Sequence, residues 1–220
     1  MAHFSELQDA ILLSLVVAIV ATVSAFPFAL MAAWGIRRLP APWARTLNVL
    51  TLLPLVLPPV VTGYLLLLLF RPNRALGQIL ADLGLQIAFN WKGAVVAAAV
   101  MAFPLMVRSI SVAWQSLPDG LGEAATTLGA NRVQKFRTIT WPLLRPGVLA
   151  AVILGFAKAL GEFGATITLA ANIPGQTQTI PSAIYDLLQV PGGEEQIVLL
   201  SVISIVFAVG ALLFSEIFVA

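Results

Sequence analysis

Five stretches of this chain, 10–35, 47–70, 93–114, 143–171 and 197–219, each hold roughly 20 or more residues, nearly all of them apolar. At 1.5 Å of rise per residue, a helix of that length crosses a hydrocarbon core about 30 Å thick. Inside lipid the backbone finds no water to bond, so only helices or closed barrels span, and runs this long and continuous select helices. A composition of 60% hydrophobic and 10% charged residues, with mean hydropathy of +0.97, exceeds what a soluble core of 220 residues hides. The expected fold class is an all-α integral membrane protein, a single transmembrane domain over 1–220.

Charge orients the helices. With the amino terminus outside, the inner side collects Arg37, Arg38, Arg45, Arg108, Arg132, Lys135, Arg137 and Arg145, and the outer side keeps Arg71, Arg74 and Lys92. That asymmetry obeys the positive-inside rule. Acids lean outward, with Glu6, Asp9, Asp82, Asp186, Glu194 and Glu195. Residues 1–9 carry no Lys or Arg, unlike the basic start of a secretory signal, so no cleaved signal is expected.

Breakers mark irregular backbone. Pro27 lies inside the first span, and the second holds Pro54, Pro58, Pro59 and Gly63 within LLPLVLPPVVTGY. So dense a cluster predicts a broken or bent helix lining a cavity, the alternative being a kinked packing helix. The third span offers GAVVAAAVMA, small residues that let helices approach closely. Between spans two and three, Leu76, Ile79, Leu80 and Leu83 form a short amphipathic piece. The outer segment 172–196 carries a helix expected over 182–189 and is either a docking surface or an ordinary loop.

Intramembrane charge is rare and marks function by default. Lys158 and Glu162, four residues apart in the fourth span, share a helix face and are expected to pair. The pair either staples its helix or sits beside a transport path. Gly161 and Gly164 flank Glu162 and predict close helix approach or a hinge. Thr62, Thr166 and Thr168 supply hydroxyls suited to an anion's path. No Gly-Lys-Ser/Thr occurs, so no phosphate-binding loop exists here. The lack of cysteine leaves no disulfide framework, the single histidine, His3, argues against a metal or histidine-based catalytic site, and a net charge of +2 is too small to argue for nucleic acid.

The longest stretch without a spanning run is Ser116–Pro146, with Arg132, Lys135, Arg137 and Arg145. Asp119 suits a helix cap, Glu123 a first turn and Gly129 a helix end. Asn131 and Gln134 have capping-box spacing for a second short helix, which Pro142 is expected to stop. Leu121, Ala124, Ala125 and Leu128, then Val133, Phe136 and Ile139, make an apolar face that needs a cover. Either a protein partner or the membrane surface supplies it.

Glu123-Ala124-Ala125, followed by Gly129, Ile139 and Pro142, resembles the EAA loop of bacterial ABC-importer permeases. The residue before the proline is Trp141, where that family carries Leu. LPLVLPPVVTGYLLL, FPLMVRS, LGEFGATIT and NIPGQTQTIPSAIY extend the resemblance from about Leu12 to Glu216, toward permeases of bacterial molybdate ABC transporters. The resemblance implies a type I importer permease of five helices in the bacterial cytoplasmic (inner) membrane, with a cytoplasmic coupling loop over 116–142. It implies a homodimer, two ATPase subunits holding ATP and Mg, an extracytoplasmic molybdate-binding protein, and no cofactor or catalysis on this chain. Glu123, Ala124, Ala125, Gly129 and Pro142 take the coupling role; Thr62, Lys158, Glu162, Thr166 and Thr168 are candidate path residues. The resemblance also implies tungstate as a second cargo. A sulfate or other oxyanion permease is the alternative, and an ATPase-independent channel or membrane-assembly protein belongs to a different class.

Overall fold

The computed structural model describes residues 2–118 and 120–219, and every regular element among them is helical. In order these are α1 (Ala2–Arg38), α2 (Ala41–Val56), α3 (Pro59–Phe70), α4 (Ala75–Asp82), α5 (Trp91–Gln115), α6 (Leu121–Thr127) and α7 (Arg132–Lys135). A π-helical turn (Phe136–Thr140) follows, then α8 (Trp141–Leu160), α9 (Gly164–Ala170), α10 (Ile180–Leu187) and α11 (Glu194–Val219). Asp119, the expected cap of α6, lies outside the described residues.

The core is a three-helix seam of small residues. Val17, Ala18 and Ala21 of α1 meet Ala94, Ala98 and Ala102 of α5 and Ala159 and Leu160 of α8. Further in, Ala25, Ala29 and Ala33 meet Met106, Val107 and Ile110, with Ala151 of α8. Thus α1 and α5 run parallel and α8 antiparallel to both. At Gly147 a Cβ would come within 2.1 Å of the Ala113 Cβ, and the Ser109 hydroxyl donates to the Gly147 carbonyl at 3.0 Å. Close backbone approach gives van der Waals contact where lipid offers no hydrophobic drive.

Each end of the bundle is tied by its own contacts. At one end the Arg37 guanidinium donates to the Trp114 carbonyl at 3.0 Å and lies 6.0 Å from that ring's centroid. At the other, Ala10 of α1 joins Ile180, Ala183 and Leu200, and the Ile180 N–H donates to Ser14 Oγ at 2.7 Å. α11 packs on α8 and α10 and leaves most of its surface for lipid or protein.

Two expected spans are broken. The second divides into α2 and α3, bent by 109°. Leu57 (φ −70°, ψ 142°) and Pro58 (φ −54°, ψ 134°) are extended, because a residue before proline is pushed out of the helical region. Pro54, one of the grouped breakers, stays inside α2. The fourth span halts at Leu160 and resumes as α9.

One expectation fails. Pro142 does not stop a helix: α7 runs through the π turn into α8, with Pro142 in the first turn of α8. The Trp141 N–H reaches back to Phe136, an i→i−5 bond, so the widened turn takes up the ring that would otherwise press on an α-helical carbonyl.

Candidate coupling element and translocation path

α6 protrudes at the Arg37 end of the bundle on a turn made by Gly129, whose φ of 84° is the left-handed conformation glycine adopts without strain. The Gly129 N–H donates to Thr126 O and the Ala130 N–H to Ala125 O, both at 2.9 Å, closing the helix end. Beyond the turn Asn131 and Gln134 form the expected capping box, with reciprocal bonds of 2.9 Å. Of the residues in α6 only Ala125 is buried; Glu123, Ala124 and Gly129 are exposed. Leu121, Leu128, Val133 and Phe136 are also bare, Leu128 to 87%. The expected apolar face exists, then, with Ala125 turned inward and Ile139 half-buried. Phe136 and Trp141 stack at 6.3 Å between centroids, so Trp141 belongs to the same apolar rim.

At the break in the fourth span, the Lys158 ammonium pairs with the Glu162 carboxylate as the spacing predicts. Glu162 also accepts the Ala165 N–H on Oε1 at 3.1 Å, starting α9. Its side chain is buried, whereas that of Lys158 is 27% exposed. Gly164 abuts Pro59 and Val60 of α3; Gly161 touches nothing beyond its own turn, so the expected close approach holds at Gly164 alone. Gly63 is tighter still, since a Cβ there would lie 2.6 Å from the Ala165 carbonyl oxygen and 2.8 Å from Thr168 Cβ.

This contact gathers Thr62 and Thr168 at the crossing of the two broken spans, α3 and α9. Thr62 is buried with its hydroxyl unpartnered, Thr166 is buried, and the Thr168 hydroxyl donates to Gly164 O at 2.7 Å. The irregular backbone of both spans therefore meets at one place, beside the ion pair. α6, with Glu123, Ala124 and Ala125, belongs to the separate element before the π turn.

Spacing does not reveal the long-range ties. The Asp186 carboxylate accepts the side-chain amides of Asn172 and Gln178. Ala171, next to Asn172, has φ 65° and ψ −164°, a conformation nearly confined to glycine. Lys135 bonds across the turn to α6, at 3.1 Å to Gly122 O and 2.9 Å to Thr126 Oγ1. No local pattern signals any of these.

Residues 25–220 match the family described as binding-protein-dependent transport system inner membrane component. The chain is 50% identical to the molybdenum transport system permease protein ModB of Escherichia coli K12, covering 94% of this chain and 91% of that one. Its counterpart in Haemophilus influenzae is 48% identical over the same shares. The sulfate transport system permease protein CysT of Salmonella typhimurium is 38% identical, over 80% of this chain and 64% of its own. Among solved structures, a bacterial ABC transporter involved in import of the acidic polysaccharide alginate matches with TM-score 0.72 at 18% identity, covering 98% of this chain and 80% of that one. The inward-facing MetNI methionine ABC transporter matches with TM-score 0.70 at 16% identity, covering 98% and 94%. The structural likenesses speak to the fold and the sequence likenesses to descent: the chain belongs to the inner membrane components of binding-protein-dependent transport systems, among the molybdenum transport permeases.

Proposed function

We propose that the protein is the permease subunit of an ATP-driven importer that carries molybdate, and tungstate with it, across the bacterial cytoplasmic membrane. Two copies form the passage, two ATPase subunits that bind ATP and Mg attach from the cytoplasm, and an extracytoplasmic binding protein delivers the anion. The observation that carries this reading is the near end-to-end likeness to the molybdenum permease of Escherichia coli. The bare apolar face of α6 supports it, because a helix exposing Leu121 and Leu128 beside Glu123 suits a cleft on another protein.

ATP-driven closure of the ATPases pushes on both copies of α6 and swings the spans from inward-open to outward-open; hydrolysis resets them. The anion passes the crossing of α3 and α9. There Thr62, Thr166 and Thr168 offer hydroxyls and Lys158 a positive charge, which Glu162 balances in the resting chain. Weak contacts suffice, since affinity resides in the binding protein.

Sulfate is the second reading, favoured by the likeness to the sulfate permease. Uptake of labelled molybdate into vesicles holding the chain with its ATPase and binding protein tests both. ATP-dependent uptake blocked by excess tungstate and untouched by sulfate supports the molybdate reading. Equal competition by sulfate shifts the cargo, and uptake without ATP overturns the importer.

A further inference from the structure

We infer that Lys135 is the positioning residue that makes the coupling element rigid, tying α6 to the helix that enters the membrane. The inference rests on the reading of α6 as the ATPase contact. α6 has seven residues and, among them, one that is buried. It joins α7 through the turn at Gly129 and begins at Gly120, both glycines with positive φ and minimal backbone restraint, so the chain alone makes a poor lever.

Lys135 supplies the missing strut. Half-buried at the end of α7, it donates to Gly122 O at 3.1 Å and to Thr126 Oγ1 at 2.9 Å. The Thr126 hydroxyl in turn donates to Gly122 O at 2.7 Å, so ammonium, hydroxyl and carbonyl close a triangle on one turn of α6. Gly122 precedes Glu123 directly, which places the strut beside the docking face rather than on it. From Lys135 the helix continues unbroken through the π turn into α8, and α8 ends at Leu160, two residues beyond Lys158, at the break held by Glu162. A displacement of α6 thus reaches the fourth span through a side-chain bond as well as through the glycine turn. Charged donors make the stronger hydrogen bonds, and three ammonium protons serve two acceptors without strain.

The test uses the full chain with its ATPase and binding protein, as wild type, Lys135→Met, Lys135→Arg, Thr126→Val and the Lys135→Met/Thr126→Val double variant. Complex yield, ATP hydrolysis and molybdate uptake are measured together. With the complex still assembling, molybdate carried per ATP falls roughly tenfold in Lys135→Met, the scale of one net hydrogen bond to a charged group. Lys135→Arg restores most of it, and the double variant is no worse than Lys135→Met, because both substitutions open the same strut. An unchanged ratio, additive losses, or loss of assembly in Lys135→Met overturns the inference, the last because Lys135 would then be a direct ATPase contact. Amide hydrogen exchange over 121–127 in the isolated chain reads the strut independently of transport: faster exchange in Lys135→Met supports it, and identical exchange overturns it. Failure of the wild type to show ATP-dependent uptake would count against the transport reading and leave that exchange result standing.

Discussion

The Glu162 carboxylate accepts the backbone N–H of Ala165 at 3.1 Å, and with its other oxygen it holds the ammonium of Lys158. One side chain therefore closes α8 and opens α9. The break in the fourth span is a built joint, with its freed backbone donor satisfied and its charge balanced inside the membrane region.

Removing Glu162 strips both functions at once. Glu162→Ala is expected to destabilise the protein by roughly 3 kcal/mol, since it strands a partly buried ammonium and an unpaired N–H. Lys158→Met should cost about as much, because it leaves the buried carboxylate with its backbone donor alone. The Lys158→Met/Glu162→Gln pair should recover part of the loss, as it strands no charge. Thermal unfolding of the four proteins in detergent orders them; a double variant less stable than Glu162→Ala would contradict the joint.

The α3–α9 crossing depends on Gly63. Gly63→Ala sets a methyl 2.6 Å from the Ala165 carbonyl oxygen, a backbone atom that cannot rotate away. A loss of about 1–3 kcal/mol is expected in spite of alanine's better helix propensity. Gly161→Ala, with 3.7 Å to its nearest neighbour, should be near neutral. Unfolding midpoints of the two variants decide, and equal effects would mean that the crossing is looser than described.

Spans and the capping box of α7 were legible because apolar length and polar caps are local properties of the chain. Lys158 and Glu162 were legible for the same reason, being one helical turn apart. Pro142 misled: proline is read as a helix stop, and the compensating π turn depends on how α7 meets the bundle. The clustered prolines announced a break, yet they did not tell that Pro54 stays helical while Leu57 and Pro58 unwind. Gly63 against Ala165, Lys135 against Gly122 and Ser14 against Ile180 arise from tertiary contact, and a single sequence carries no pairing information for them.

Leu128 separates docking from folding. At 87% exposure it contributes little to the isolated chain, so Leu128→Asp should leave the unfolding midpoint unchanged. The same substitution, or Glu123→Arg, should abolish co-purification with the ATPase, because it places a mismatched charge on an apolar docking face. A normal yield of complex from both variants would move the ATPase contact away from α6.

Thr62 gives two measurements that move in opposite directions. Its hydroxyl is buried in α3 without a hydrogen-bond partner, a state that ordinarily costs stability. Thr62→Val keeps the shape and removes that group, so the folded protein should gain about 1 kcal/mol. If the hydroxyl is kept for passage of the anion, molybdate uptake falls in the same variant, and falls further when Thr166→Val is added. Thr168→Val serves as the contrast, because that hydroxyl is already bonded to Gly164 O within its own helix. Its loss should change uptake less than that of Thr62. A more stable Thr62→Val protein that transports normally would reduce Thr62 to a packing residue and place the anion's route elsewhere; a less stable one would show that the hydroxyl has a bonding partner, such as a water, in the folded membrane protein.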